Sequence, residues 1–301
     1  MQESILRFFQ NAATPFWDSF FTYITMLGEQ YFIILIISLI YWNVSKKYGF
    51  ILTFTFLVST IVNSYLKILF HTQRPYLKLD NIEGKRIHTG EGYAFPSGHT
   101  QSATTLFTTL VLFVKNNMFT TLAVLLSVLV AVSRVFLGMH WPIDVIGGLV
   151  FGVLISVFVF TYLSKIYDNK RLFYKVIIGV TLSAFFIFLI LILLNNFYFN
   201  NELEIYSTLK ILGITGGAVV GFIWEEEKFP YTTKHKFWIK LLRYAIGITV
   251  TIALLAGLKY IFPETKIFTF FRYVIVGLWI SAGMPFFGQK VKIFRKTEVK
   301  P

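Results

Sequence analysis

The chain has 301 residues, no cysteine, a net charge of +13, 55% hydrophobic residues and 19% aromatics, 34 of them Phe. Only 14% of its residues are charged, against about 25% in an ordinary soluble domain. These values exclude a disordered chain, a disulfide-stapled secreted domain and a cysteine–zinc protein, and so much Phe, Ile and Leu cannot be hidden inside a soluble fold. The sequence predicts an integral membrane protein.

Taken in chain order, residues 1–20 mix Phe and Leu with polar positions and read as an interfacial segment. Met1-Gln2-Glu3 is followed by no basic n-region, short apolar core and small-residue cleavage site, so no cleaved signal peptide is expected. Nine apolar segments then approach the length of about 20 residues that crosses a bilayer. They run near 24–44, 48–70, 99–115, 118–137, 142–165, 174–195, 206–224, 239–261 and 268–288, the first interrupted by Gly28-Glu29-Gln30. The predicted fold class is an all-α polytopic transmembrane helix bundle. Its expected divisions are 1–47 (interfacial helix and first span), 48–165 (the next four spans) and 166–301 (a four-span extension).

Alternate loops hold 17 of the 28 Lys and Arg residues. The positive-inside rule places that side in the cytoplasm, with the N-terminus outside and the C-terminus inside. The net charge then reports cytoplasmic loops. No dense basic stripe interleaved with exposed aromatics is present, so no nucleic-acid partner is expected. One long polar loop, 71–98, stands out from short connections and falls on the outer side.

Three segments on that side carry unusual polar residues. In the first, Lys67 and Arg74 are seven apart, a spacing that on a helix puts both on one face. A point charge and a planar fork of donors suit a phosphate, although two snorkelling cations at a helix end would look the same. In the second, Pro96-Ser97-Gly98-His99 precedes an apolar helix, with Ser97 placed as its N-cap. Free N–H groups at such a start favour an anion, though a plain turn and cap has the same spelling. In the third, His140 and Asp144 are four apart after Ser133-Arg134, so a helical turn could bring the carboxylate to the ring N–H. Arg134 lies at the end of an otherwise apolar helix, where an unpartnered charge is expensive. Together the segments supply three cations, a helix start and two imidazoles, one with a carboxylate. No carboxylate cluster is spaced for magnesium and no cysteine can bind zinc, so neither metal nor other cofactor is expected.

The pattern Lys67-x6-Arg74-Pro75, then Pro96-Ser97-Gly98-His99, then Ser133-Arg134-x5-His140-x3-Asp144 resembles the three-part signature of the type 2 phosphatidic acid phosphatase (PAP2) superfamily. The resemblance covers roughly residues 48–165. It implies His140 as the nucleophile that becomes a phosphohistidine, Asp144 as its orienting carboxylate, and His99 as the acid that protonates the leaving oxygen. Lys67, Arg74, Arg134, Ser97 and the Gly98 amide would hold the phosphate. The substrate it implies is a lipid phosphate or polyprenyl diphosphate; the Lys and Arg count sets the site at the outer leaflet, and the abundance of Ile, Phe, Lys and Asn suggests a bacterial cytoplasmic membrane. Undecaprenyl diphosphate leads, ahead of phosphatidylglycerol phosphate and phosphatidic acid. The chain departs from compact six-span members by one span before Lys67 and about four after Asp144.

A lipid transporter or scramblase, or a phosphotransferase using the same anion pocket, is the alternative. A vanadate-dependent oxidase sharing the cradle is more remote. Beyond the signature, Gly213, Gly217 and Gly221 form a thin helix face expected to pack closely. Gly148 and Gly152 do likewise. Glu225-Glu226-Glu227 reads as a solvated helix end and Arg243 and Arg272 as interfacial anchors. His71, His88 and His235 have no metal-ligand spacing and receive no role. Oligomeric state is not encoded in any of these features.

Overall fold

The computed structural model describes residues 1–90, 92–198 and 202–297. The chain is helical almost throughout. In order come α1 (Gln2–Asn11), α2 (Pro15–Thr25), a 3-10 turn (Met26–Gly28), α3 (Gln30–Leu39), a π turn (Ile40–Val44) and α4 (Lys46–Phe70). Then follow α5 (Pro75–Lys78), α6 (Gly98–Val114), α7 (Asn117–Phe136), α8 (Pro142–Ile166), α9 (Lys170–Tyr198) and α10 (Glu202–Lys228). The C-terminal part holds β1 (Tyr231–Thr232), α11 (Phe237–Ile261), α12 (Lys266–Leu278), a π turn (Trp279–Gly283), α13 (Met284–Lys290) and β2 (Arg295–Lys296).

Among the described residues, seven helices are long and apolar enough to cross a membrane, or eight if the bent pair Pro15–Gly28 and Gln30–Val44 forms one span. The chain is therefore an integral membrane protein, with a span count slightly below the nine expected. The difference lies in α6, which has only 17 residues and buries Thr100, Gln101, Thr104, Thr105 and Thr109. Residues 15–20 also differ: they are the first turns of α2, begun by Thr14 accepting from the Trp17 N–H and by Pro15 in the first turn.

Two compact units divide the chain. Unit 1 comprises Met1–Ile34, Thr55–Tyr162 and Asn195–Glu204; unit 2 comprises Leu35–Phe54, Leu163–Leu194 and Ile205–Pro301. In unit 1, α7 packs against α1, α2 and α6. Leu6 of α1 is fully buried with Ile82, Ala131, Val135 and Val145, while Phe21 and Phe136 bring their rings to 4.4 Å. Gly148 and Gly152 of α8 seat α6: a Cβ at Gly148 would lie 2.9 Å from the Ser97 carbonyl oxygen, and one at Gly152 2.7 Å from Thr104.

Unit 2 has a Phe core in which Phe50 stacks on Phe222 at 3.7 Å and meets Phe173 edge-on. The Gly213 and Gly217 face receives the α12 backbone at Phe270 and Val274, and Gly221 receives Ser281. The glycine stripe thus serves packing within the chain. Two expectations fail here. Glu225 is fully buried, ion-paired to Lys46 and accepting from the Tyr231 N–H at 3.0 Å, and Glu226 pairs with Lys46 at 2.6 Å and Lys170 at 2.7 Å. Arg243 is fully buried rather than interfacial. In both cases the β1 segment and the Ile40–Val44 turn fold back over charges that a linear reading leaves at a helix end.

Candidate active site

All eight sequence-derived site residues lie in unit 1. Lys67 is buried on the last turn of α4. Arg74 does not share that helix, contrary to the spacing argument. The helix stops at Phe70, His71 turns with φ 49°, and Arg74 becomes the residue that caps α5, with Pro75 in its first turn. That exit matters, because it frees the Arg74 side chain to enter the loop. Its Nε donates to the Gly92 carbonyl at 2.9 Å, Nη2 to Tyr93 at 3.3 Å and Nη1 to Met139 at 3.2 Å. Nη1 also lies 3.1 Å from Nε2 of His140.

That last contact fixes a tautomer. A guanidinium can only donate, so the His140 Nε2 accepts and carries no proton. The proton sits on Nδ1, which lies 3.4 Å from Oδ2 of Asp144, an ion-pair distance that falls short of a hydrogen bond. His140 is not on the helix with Asp144, as the four-residue spacing suggested. It ends a turn in which Gly138 takes φ +68° and both the Met139 and His140 N–H groups point to the Arg134 carbonyl at 3.0 and 3.3 Å. Asp144 occupies the first turn of α8 and its Oδ2 accepts from the Trp141 N–H at 2.8 Å. The same carboxylate therefore caps α8 and faces His140. Burial, then Arg74, Arg134 and Lys67, hold the His140 imidazole well below its ordinary pKa.

Ser97 stands at the start of α6, fully buried, but its side chain makes no capping bond. Its Oγ accepts from Thr100 at 3.1 Å, and its N–H donates to the Asp144 carbonyl at 2.9 Å. This bond ties the start of α6 to the start of α8. Gly98 opens α6, where the leading N–H groups lack intrahelical partners. Asn63 braces the segment from α4, donating to the Pro96 carbonyl at 3.3 Å and to Gln101 at 2.8 Å. His99 follows on the first turn. Its Nε2 is buried without a hydrogen-bond partner, 3.8 Å from Oε1 of Glu29.

Arg134 is fully buried near the end of α7. Its Nη1 donates to Thr25 at 3.1 Å, whereas Nε and Nη2 have no partner among the described residues. Two unfilled donors on a buried guanidinium are costly unless something arrives to accept them. Thr25, Glu29 and Asn63 escaped the sequence reading; the only signal for Glu29 was a polar interruption in an apolar run. Among the described residues no three His, Asp or Glu side chains gather as a metal site. A buried, cation-lined site of this kind can stabilise negative charge developing on a phosphate.

Residues 48–168 match the model of the PAP2 superfamily, and residues 209–296 match that of the PAP2 superfamily phosphatase transmembrane extension. The undecaprenyl-diphosphatase of Sulfolobus acidocaldarius is 30% identical over 138 residues, 44% of this chain and 65% of that protein. The putative undecaprenyl-diphosphatase YbjG of Escherichia coli is 35% identical over 99 residues, 32% of this chain and 48% of that protein. The chain thus spans less than two thirds of the length of either relative. The crystal structure of Aquifex aeolicus LpxE is 27% identical, with a TM-score of 0.47, covering 54% of this chain and 95% of that one. With a superfamily domain and its transmembrane extension together matching more than half of its residues, the chain belongs to the PAP2 superfamily.

Proposed function

We propose that the protein is a membrane phosphatase that hydrolyses a lipid phosphate or polyprenyl diphosphate through a phosphohistidine on His140. The observation that carries this reading is the state of two neighbouring groups. Arg74 Nη1 lies 3.1 Å from His140 Nε2, a contact in which Nε2 must accept, and Arg134 Nε and Nη2 are buried without a hydrogen-bond partner among the described residues. The first suits a nucleophile and the second suits one half of an anion site.

In the proposed reaction the phosphate fills the Arg134 donors and draws Arg74 Nη1 away from Nε2, which releases the His140 lone pair. Nε2 then forms a bond to phosphorus while the bond to the leaving oxygen breaks. That oxygen keeps the bonding electrons and takes a proton from His99. Asp144 faces the Nδ1 proton and favours the positive ring that results. In the second half, water attacks phosphorus, His99 takes its proton, and the N–P electrons return to Nε2. Lys67, Arg74, Arg134, Ser97 and the Gly98 amide hold the three phosphate oxygens, whose charge grows in both transition states. In this reading protein cations take the electrostatic role that a metal ion fills elsewhere.

The excess of Lys and Arg in alternate loops supports a site at the outer face of a bacterial cytoplasmic membrane. An amphiphilic substrate would keep its tail among the Phe-rich helices and bring only its headgroup to the pocket. The names of the two relatives support undecaprenyl diphosphate as the first substrate to test. In the same reading 48–165 is the catalytic core and 166–301 an extension. The test is phosphate release from undecaprenyl diphosphate and phosphatidic acid by purified protein in EDTA, wild type against His140→Ala. Release that survives chelation and is lost in the folded variant supports the reading. No release from either lipid by folded wild type contradicts it.

A further inference from the structure

In the proposed reaction His99 must hold a proton when the leaving oxygen departs, yet it is surrounded by cations. Arg134 from α7 and Arg74 at the start of α5 both act on it, and Arg86 of the 71–98 loop acts on the adjacent Glu29. Among the described residues the negative group acting on His99 is Glu29, from a part of the chain that precedes residues 48–168. Its Oε1 lies 3.8 Å from His99 Nε2 and accepts from Arg86 Nη2 at 2.7 Å.

The placement of Glu29 is built into the backbone. The pair Pro15–Gly28 and Gln30–Val44 bends by 49°, and Glu29 is the extended residue at the corner, with φ −87° and ψ 152°. The corner is pressed onto His99: a Cβ at Gly28 would overlap the His99 carbonyl oxygen and lie 2.9 Å from its carbonyl carbon. One turn earlier, Thr25 accepts from Arg134. A single bent element therefore reaches two residues of the signature, and the carboxylate it carries faces a buried ring nitrogen that nothing else in the described structure hydrogen-bonds.

We propose that Glu29 is a positioning residue for general-acid catalysis: it holds the Nε2–H of His99, so that the proton on Nδ1 is the one traded with the substrate. The proposal rests on the phosphatase reading. In it Arg86 restrains the Glu29 side chain, keeping the carboxylate in the corner and at 3.8 Å until the imidazolium forms. Glu29 makes no contact with phosphate.

A leaving-group comparison separates this role from a structural one. An aryl phosphate expels a phenolate that needs no proton, whereas a short-chain phosphatidic acid expels an alkoxide that does. Both are assayed with wild type, Glu29→Gln and Glu29→Asp. In Glu29→Gln the ratio of aryl to alkyl kcat/KM, which reports the first phosphoryl transfer alone, rises by about tenfold or more, because only the alkyl leaving group needs the proton donor. Glu29→Asp keeps the charge but withdraws it from Nε2, so its ratio rises less. It supplies the same test should the Gln variant not fold. Equal losses on both substrates, leaving the wild-type ratio in both variants, overturn the proposal while the phosphatase reading stands. Wild type that releases phosphate from neither substrate, nor from undecaprenyl diphosphate, brings down the phosphatase reading, and this inference with it.

Discussion

Two arginines in this protein have no exposed surface, and they are satisfied in opposite ways. Arg243, in unit 2, gives Nε and Nη2 to the Ile293 carbonyl at 3.0 and 2.7 Å and Nη1 to the Trp42 carbonyl at 2.6 Å, and its guanidinium lies 4.0 Å over the Phe294 ring. Arg134, in unit 1, has one hydrogen bond among the described residues, to Thr25, and its Nε and Nη2 have no partner there. Burying a guanidinium carries a desolvation cost in either place. Backbone carbonyls offset it at Arg243, which acts as a clamp among the Ile40–Val44 turn, the strand segment and the chain end. At Arg134 the fold leaves the cost standing, as expected of a group kept for a ligand.

The largest effect that would break this contrast is at its chemical centre. His140→Ala lowers phosphate release by at least about 10⁴-fold while leaving the protein folded. A smaller loss, measured on the same lipid, would mean that another group attacks phosphorus. Next comes Arg134→Ala, expected to cost about 10²–10³-fold in kcat/KM, with a melting temperature equal to or above that of wild type. Inorganic phosphate should raise the melting temperature of wild type and not of this variant. If instead Arg134→Ala unfolds as readily as a clamp mutant, the contrast collapses.

Arg243→Ala is the counterpart. It strips the donors from buried carbonyls, at about 1–3 kcal/mol for each group left unpaired, so thermal stability falls while turnover per folded molecule is retained. The smallest effect concerns pH. Burial and the three cations hold His140 low, so the neutral nucleophile persists as pH falls through 6.5 and the acid limb of kcat/KM lies below that value. In Lys67→Met one repelling charge is gone and the limb moves up. A limb at or above 6.5 in wild type would show that the cations do not act on the free ring.

The two arginines also show what a linear reading can and cannot reach. Lys67, Arg74, His99, Arg134, His140 and Asp144 were legible because helix ends collect them at one depth and cations in apolar sequence need a reason. Their geometry was not. Spacing alone puts Lys67 and Arg74 on one helical face, and His140 and Asp144 on one helical turn. In both pairs a residue with positive φ, His71 or Gly138, breaks the regular path and aims the side chain. Glu29 and Thr25 were hidden for a different reason. Their partners lie about 70 and 109 positions away in sequence, so only tertiary structure discloses them. The same holds for Glu225, whose burial depends on Lys46 and on the turn back through Tyr231. Helix existence was visible from length and apolarity, whereas the 17-residue α6 required knowledge of its buried threonines and neighbours.

The proposed phosphatase reaction turns on a covalent bond from His140 Nε2 to phosphorus. It is tested most directly by mixing the protein with a ³²P-labelled lipid phosphate, quenching in alkali on the millisecond scale and mapping the labelled peptide. The expected result is an alkali-stable, acid-labile label confined to the peptide that contains His140, formed and lost at rates compatible with turnover, and absent from His140→Ala. Turnover without any protein-bound label under conditions that slow its hydrolysis, or a label on a different residue, would contradict it.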